Sequence, residues 1–161
     1  MTLLVNGAVL VREAEAETLS SAQSAIRLLA DSSHTGGALS TQRVTLGAGA
    51  NGATPHLHTA STELFFVLDG RLQVLAGDEV HTANTGDLLV VPPNRAHAFA
   101  AAQGSPADLL IVITPGVERF DYFRLLERLG RGEATLEELL ANQERFDNHF
   151  LQSEAWDAAR A

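Results

Sequence analysis

From Ser40 to Leu46 inward-type and polar residues alternate, and the β-branched content of Ser-Thr-Gln-Arg-Val-Thr-Leu predicts a strand. Similar short blocks follow at roughly ten-residue spacing. Glu63–Leu68 reads as a strand stopped by Asp69-Gly70, a strong hairpin signal, with Arg71–Ala76 returning. Gly77-Asp78 turns the chain into Glu79–Ala83, and Asn84–Asp87 turns it into Leu88–Val91, which runs into Pro92-Pro93. Ala96–Ala100 and Leu109–Thr114 complete the series, and the glycine-rich Gly47–Thr54 is a loop. Short strands spaced this way predict an antiparallel sandwich or barrel.

Upstream the pattern is less regular. Glu13–Leu19 has the residues to start a helix, whereas Ala25–Ala30 reads as a strand leading into a polar turn at Asp31–Gly37. After Pro115 the period becomes helical: Phe120, Phe123, Leu126 and Leu129 share a face, and Gly130-Arg131-Gly132 stops it. Thr135, with Glu138 three residues on, is an N-cap for a second amphipathic segment from Leu136 to Phe146. These helices are expected to pack on the outside of the barrel, and the alanine-rich tail from Trp156 to fray. With no internal repeat, residues 1–161 form a single domain: N-terminal strands and loops over 1–37, a barrel over about 38–115, and helices over about 116–150.

Composition narrows the chemistry. At 161 residues, 45% hydrophobic and 19% charged, the chain can bury one ordinary globular core. A net charge of −9 argues against tracking nucleic-acid phosphates and against an anionic membrane. The start lacks the basic and apolar regions of a signal peptide, and no apolar run is long enough to cross a bilayer, so a cytoplasmic protein is expected. There is no cysteine, which removes disulfides, thiolate ligands and thiol nucleophiles. A metal site here must use imidazole nitrogen and carboxylate oxygen.

Four of the six histidines, His56, His58, His81 and His97, lie in the strand-rich middle. In His56-Leu57-His58 the alternation of an extended chain puts both imidazoles on one face. Thr59–Thr62 is short and polar enough to turn, bringing Glu63 back to the same cavity. Three clustered ligands leave coordination positions open, as a catalytic metal requires. A third imidazole from a distant strand would complete the set, and His97 sits just beyond the Pro92-Pro93-Asn94 turn.

These residues resemble the two cupin motifs. His56-x-His58-x4-Glu63-x6-Gly70 is similar to the first and Gly86-x5-Pro92-x4-His97 to the second, separated by a short Arg71–Thr85 gap. The resemblance implies an all-β jelly-roll barrel with one divalent metal ion (Fe, Mn, Ni, Co or Zn) on His56, His58, Glu63 and His97. Three positions depart from the pattern. Ala50 replaces a glycine, Asn94 replaces the glycine of the second motif, and Ala101 replaces its asparagine. Asn tolerates a left-handed turn best after Gly, so the change at Asn94 is mild. Arg27–Asp31, Leu110–Gly116 and the Phe120–Gly130 segment extend the resemblance to small bacterial quercetin 2,3-dioxygenase-like cupins.

Phe65 and Val67 have the parity of Glu63, and Phe99 that of His97, so all three are expected to face the metal as core and as substrate wall. Arg43 is a candidate anchor for a substrate carboxylate or phenolate, against the simpler reading of a solvent-facing arginine. His81 is read as a surface or dimer-edge residue, with a place in the pocket as the alternative. His34 is read as solvent-facing and His149 as structural, or as closing the pocket mouth. Leu64, Phe66 and Leu68 take the outward parity and are expected to meet the C-terminal helices or a second subunit in a homodimer.

The resemblance implies dioxygen insertion into a small enediol- or flavonol-like substrate, with Glu63 as ligand and proton-transfer residue. Two other readings share the site. One is a non-redox isomerase, cyclase or lyase using the metal as a Lewis acid; the other is a metal- or ligand-binding module without turnover.

Overall fold

A computed structural model describes residues 2–161. β1 (Thr2–Val5) and β2 (Ala8–Val11) form a separate hairpin. The main sheet contains β3 (Glu17–Ser20), β4 (Ser24–Ala30), β5 (Ser40–Leu46), β6 (His56–Leu57), β7 (Thr62–Ala76), β8 (Glu79–Asn84), β9 (Leu88–Val91), β10 (His97–Ala101), β11 (Ala107–Thr114) and β12 (His149–Phe150). Its strands run in the order β12-β6-β10-β7-β11-β5-β4-β3, with β8 and β9 also paired to β7, and every pairing is antiparallel. This is the expected mostly-β, jelly-roll-like architecture. The helices α1 (Phe120–Gly130), α2 (Leu136–Ala141), α3 (Gln143–Phe146) and α4 (Glu154–Arg160) pack outside the strands.

Alternation decides which side chains enter the interior. Along β5 Ser40, Gln42, Val44 and Leu46 are buried, while Thr41, Arg43 and Thr45 take the other face. Val44 and Leu46 join Phe65, Val67, Leu72, Val74, Phe99, Leu109 and Ile111 in one apolar core. A second cluster, with Leu28, Tyr122, Phe123, Leu139 and Phe146, seals α1, α2 and α3 against β3 and β4. The expected N-cap is present: Glu138 N–H donates to Thr135 Oγ1 at 3.1 Å.

Three expectations need correction. Glu13–Leu19 does not begin a helix: Glu13–Glu15 makes one short turn, and Glu17–Ser20 pairs with β4, burying Leu19. Tertiary pairing outweighs local propensity there. Asp69-Gly70 is not a hairpin either. β7 runs straight through it, with a register shift between Asp108↔Asp69 and Leu109↔Val67. Gly70 has φ 78°, and an added Cβ would lie 1.9 Å from the Pro106 carbonyl oxygen. Glycine serves a close backbone approach at a bulge, not a turn. The kink lets one half of β7 pair with β9 and β11 and the other half with β8 and β10.

The tail does not fray. Ser153 caps α4 by accepting from Trp156 N–H at 3.2 Å, and the Trp156 side chain packs on Leu75, Ala98 and Ala100. Arg160 then reaches Gln73 Oε1 at 2.8 Å and the Gly49 carbonyl at 2.8 Å.

Candidate metal centre

His56 and His58 come from β6 and its exit, Glu63 from the start of β7, and His97 from the start of β10. The register pairs His97 directly with His56, and Asn94 N–H donates to the His58 carbonyl at 2.7 Å. Asn94 holds φ 63°, the left-handed conformation expected of it. All four side chains are buried, and one ligand atom of each lies within 4.8 Å of the others.

The hydrogen bonds fix which nitrogen faces the centre. Each imidazole Nδ1 sits on a backbone carbonyl: His56 on Thr54 at 2.7 Å, His58 on Asp147 at 2.6 Å, and His97 on Arg95 at 2.9 Å. A carbonyl can only accept, so Nδ1 carries the proton and Nε2 presents its lone pair. Those Nε2 atoms stand 3.9, 2.9 and 2.7 Å from Glu63 Oε2. Lone pairs from three imidazoles and a carboxylate thus converge in a buried space, an arrangement that calls for a cation between them. The donor set fits one divalent metal ion, and these four residues would hold it.

Electrostatics agree. Burial pushes the His56 imidazole well below its ordinary value, helped by His97, so it stays neutral as a ligand must. Burial alone would raise the Glu63 carboxyl, but in the metal-free site a protonated His58 or His97 ring, donating through Nε2 as well, outweighs it and holds the group well below the usual range.

Beside His56 and Glu63 opens a cavity of about 260 Å³. Its walls are mainly apolar, with Ile26, Val44, Leu46, Phe99, Ile111 and Phe123 among them. Polar groups come from Gln42, Arg119, Tyr122 and Asn148. Burial pushes the Tyr122 phenol up to about 12, so it stays protonated and able to donate a hydrogen bond at neutral pH.

The candidate pocket residues fall in different places. Phe99 lines the cavity. Phe65 and Val67 point inward but lie fully buried behind it, with the Phe65 ring 5.9 Å from His97 and 5.4 Å from Phe99. Arg43 faces outward and spends its guanidinium on Asp108, at 2.9 and 2.6 Å, and on Glu13 at 2.8 Å. Alternation in β5 already dictates this, because Val44 must enter the core; the inward neighbour is Gln42. His81 pairs with Glu79 at the surface, His34 is exposed, and His149 contacts Asp147. Arg119, Tyr122, Asn148 and Asp147 were not legible as site residues, because the docking of the helices brings them to the barrel.

The family description "Cupin domain" matches residues 42–113, which carry all four ligand positions. Residues 42–113 are thus a cupin domain. Solved cupin structures resemble it in fold. KdgF from Halomonas sp. is 20% identical over 69% of this chain and 94% of that one, with a TM-score of 0.58. Hydroxypropylphosphonic acid epoxidase from S. wedmorenis is 22% identical over 71% and 62%, with a TM-score of 0.57. Pac13, a nucleoside dehydratase, is 16% identical over 65% and 80%, with a TM-score of 0.52. No curated protein matches this cupin in sequence. No helix among its described residues is long and apolar enough to cross a membrane.

Proposed function

We propose that this cupin is a metal-dependent oxidoreductase of the dioxygenase type, acting on a small chelating organic molecule. The observation that carries the reading is the junction of the two features: of the four converging ligand residues, His56 and Glu63 line a mostly apolar cavity. The bound metal would supply activation of dioxygen and of a chelating substrate oxygen. The chain's own residues do the rest. The apolar walls exclude water and hold the substrate body, and Glu63 moves a proton at its carboxylate. At about 260 Å³ the cavity lies below the range usual for drug-sized ligands, which favours enediol-sized substrates over flavonols.

Tyr122 favours a second reading. Its protonated phenol lines the same cavity as Glu63 and could donate a hydrogen bond to charge developing on a substrate oxygen, of the kind a non-redox lyase or isomerase would use. Structural likeness to both an epoxidase and a dehydratase fits either chemistry. The deciding experiment is elemental analysis of the purified protein, with oxygen uptake measured on small enediols, β-diketones and flavonols. A redox metal with oxygen consumption supports the dioxygenase. Zinc with turnover and no oxygen consumption would sink it in favour of the lyase; metal binding without any turnover would leave a ligand-binding module.

The whole chain, 1–161, would work as one domain, since the C-terminal helices supply part of the cavity wall. Phe66, Leu68, Leu88 and Val90 expose apolar surface on the outer face of β7 and β9, which supports a homodimer through that face. Sedimentation velocity of the wild type against Phe66→Glu tests it, a monomeric wild type being the contrary result. The net charge of −9 supports a small-molecule partner over nucleic acid or an anionic membrane surface.

A further inference from the structure

Arg119 precedes α1, and its main chain is pinned there: its N–H donates to Asp31 Oδ1 at 2.8 Å. Its side chain turns into the cavity, with the guanidinium carbon 4.3 Å from the Tyr122 ring centre and 5.1 Å from that of Phe123. Arg119 is only 4% exposed, yet among the described residues no carboxylate lies within ion-pair distance of its guanidinium. Nε has no partner, and Nη1 reaches only Asn148 Oδ1 at a long 3.5 Å. Asn148, 1% exposed, has an unpartnered Nδ2. The Gln42 amide and the Tyr122 hydroxyl on the same walls make no hydrogen bond to the described protein.

A buried cation without a counter-ion is costly, and so is each buried donor left unpaired. Here several gather on one cavity, whose lining also includes His56 and Glu63. The unspent groups describe what would satisfy them. One positive charge with neutral donors balances a single negative charge. A guanidinium fork matches a planar carboxylate through two parallel hydrogen bonds. A phosphoryl dianion would ask for more than one cation, and away from the metal ligands the lining offers only Arg119. The apolar remainder of the wall suits a small organic body.

We propose that Arg119, assisted by Asn148, binds the carboxylate of a small organic acid whose opposite end reaches His56 and Glu63. The part of this concerning the chelating end rests on the enzymatic reading above; the anion site stands on Arg119. It gives Arg119 the anchoring role that Arg43, spent on the outer surface, does not hold.

The test measures dissociation constants by calorimetry at fixed ionic strength on metal-loaded protein of known occupancy. The probes are benzoate, its neutral isostere benzamide, and phenylphosphonate. Benzoate should bind the wild type about tenfold or more tighter than Arg119→Met, as expected for one lost charge-assisted pair, while benzamide changes by less than about twofold. Arg119→Lys should recover part of the loss. Asn148→Leu should weaken benzoate alone, and it provides the same reading if Arg119→Met does not fold. Equal binding of benzoate to the wild type and Arg119→Met overturns the proposal, as does equal binding of benzoate and benzamide to the wild type. Phenylphosphonate outcompeting benzoate overturns the carboxylate assignment. Metal content separates the two readings. A chain that never takes up metal but keeps the Arg119-dependent benzoate preference fails the enzymatic reading alone. Full metal occupancy without that preference fails the anion site alone.

Discussion

Asp147 holds Thr59 with one carboxylate oxygen: Oδ1 accepts the Thr59 N–H at 2.8 Å and its hydroxyl at 2.6 Å. Oδ2 accepts Ala60 N–H at 3.0 Å. Thr59 and Ala60 lie in the turn between two of the four ligands, His58 and Glu63. A residue at the end of α3 therefore sets the path of the chain through the metal centre. Asp147 itself adopts φ 46°, so its position is over-determined by these contacts.

Replacing Asp147 with Ala should loosen that turn without removing a ligand. Metal affinity is expected to fall by about 10–100-fold, the usual consequence of disturbing groups that orient ligands. Competition against a chelator of known affinity measures it. Unchanged affinity would show that the turn holds its shape unaided.

Acid should destabilise the metal-free protein from near neutral pH downward. Buried His56 resists the proton that the unfolded chain takes up near 6.5, and Glu63 resists the one taken up near 4.5. In both cases the unfolded state binds more protons, so stability falls as pH falls. Urea unfolding between pH 8 and 4 should show a plateau above about 7. Below about 6.5 it should lose up to ~1.4 kcal/mol per pH unit for each proton involved. A flat profile would mean that His56 protonates freely in the folded chain.

Metal should raise the melting temperature, and chelation should reverse the rise. At a free-metal concentration of about a hundred times the dissociation constant, the gain is ~2.7 kcal/mol. His97→Ala should lose most of that gain, and calorimetry with and without chelator reads both. An undiminished gain in the variant would remove His97 from the ligand set.

Trp156→Ala should cost about 3 kcal/mol, as for other large aromatic truncations in well-packed sites. The side chain is 7% exposed, and its partners Leu75, Ala98 and Ala100 lie on the outer face of the barrel. Chemical denaturation measures the loss. A frayed tail would give almost none.

Much of the barrel was legible because alternation has one period and few ways to fail. Ser40–Leu46 needed only that rule, and the two motifs placed His56, His58, Glu63 and His97 on segments that converge. Gly70 escapes the local rule because a glycine at positive φ serves a bulge as well as a hairpin; the difference lies in Pro106, a partner 36 residues away in the chain. Glu17–Ser20 carries no local strand signal because its strand exists only through pairing with β4. Arg119 and Asn148 carry no local mark at all. They reach the cavity because Phe123, Leu139 and Phe146 dock their helices over β3 and β4, a packing event with no fixed spacing in sequence.

The three ligand imidazoles are aimed by main-chain oxygens, those of Thr54, Arg95 and Asp147. Every amino acid brings the same carbonyl, so no substitution at residues 54, 95 or 147 deletes an acceptor. The aim of the rings is thus written in the route of the backbone, and a point mutation reaches it only by moving that route, as loss of the Asp147 carboxylate would. Redesign toward another metal would have to re-route a loop, by insertion or deletion, before changing any ligand side chain could re-aim the set.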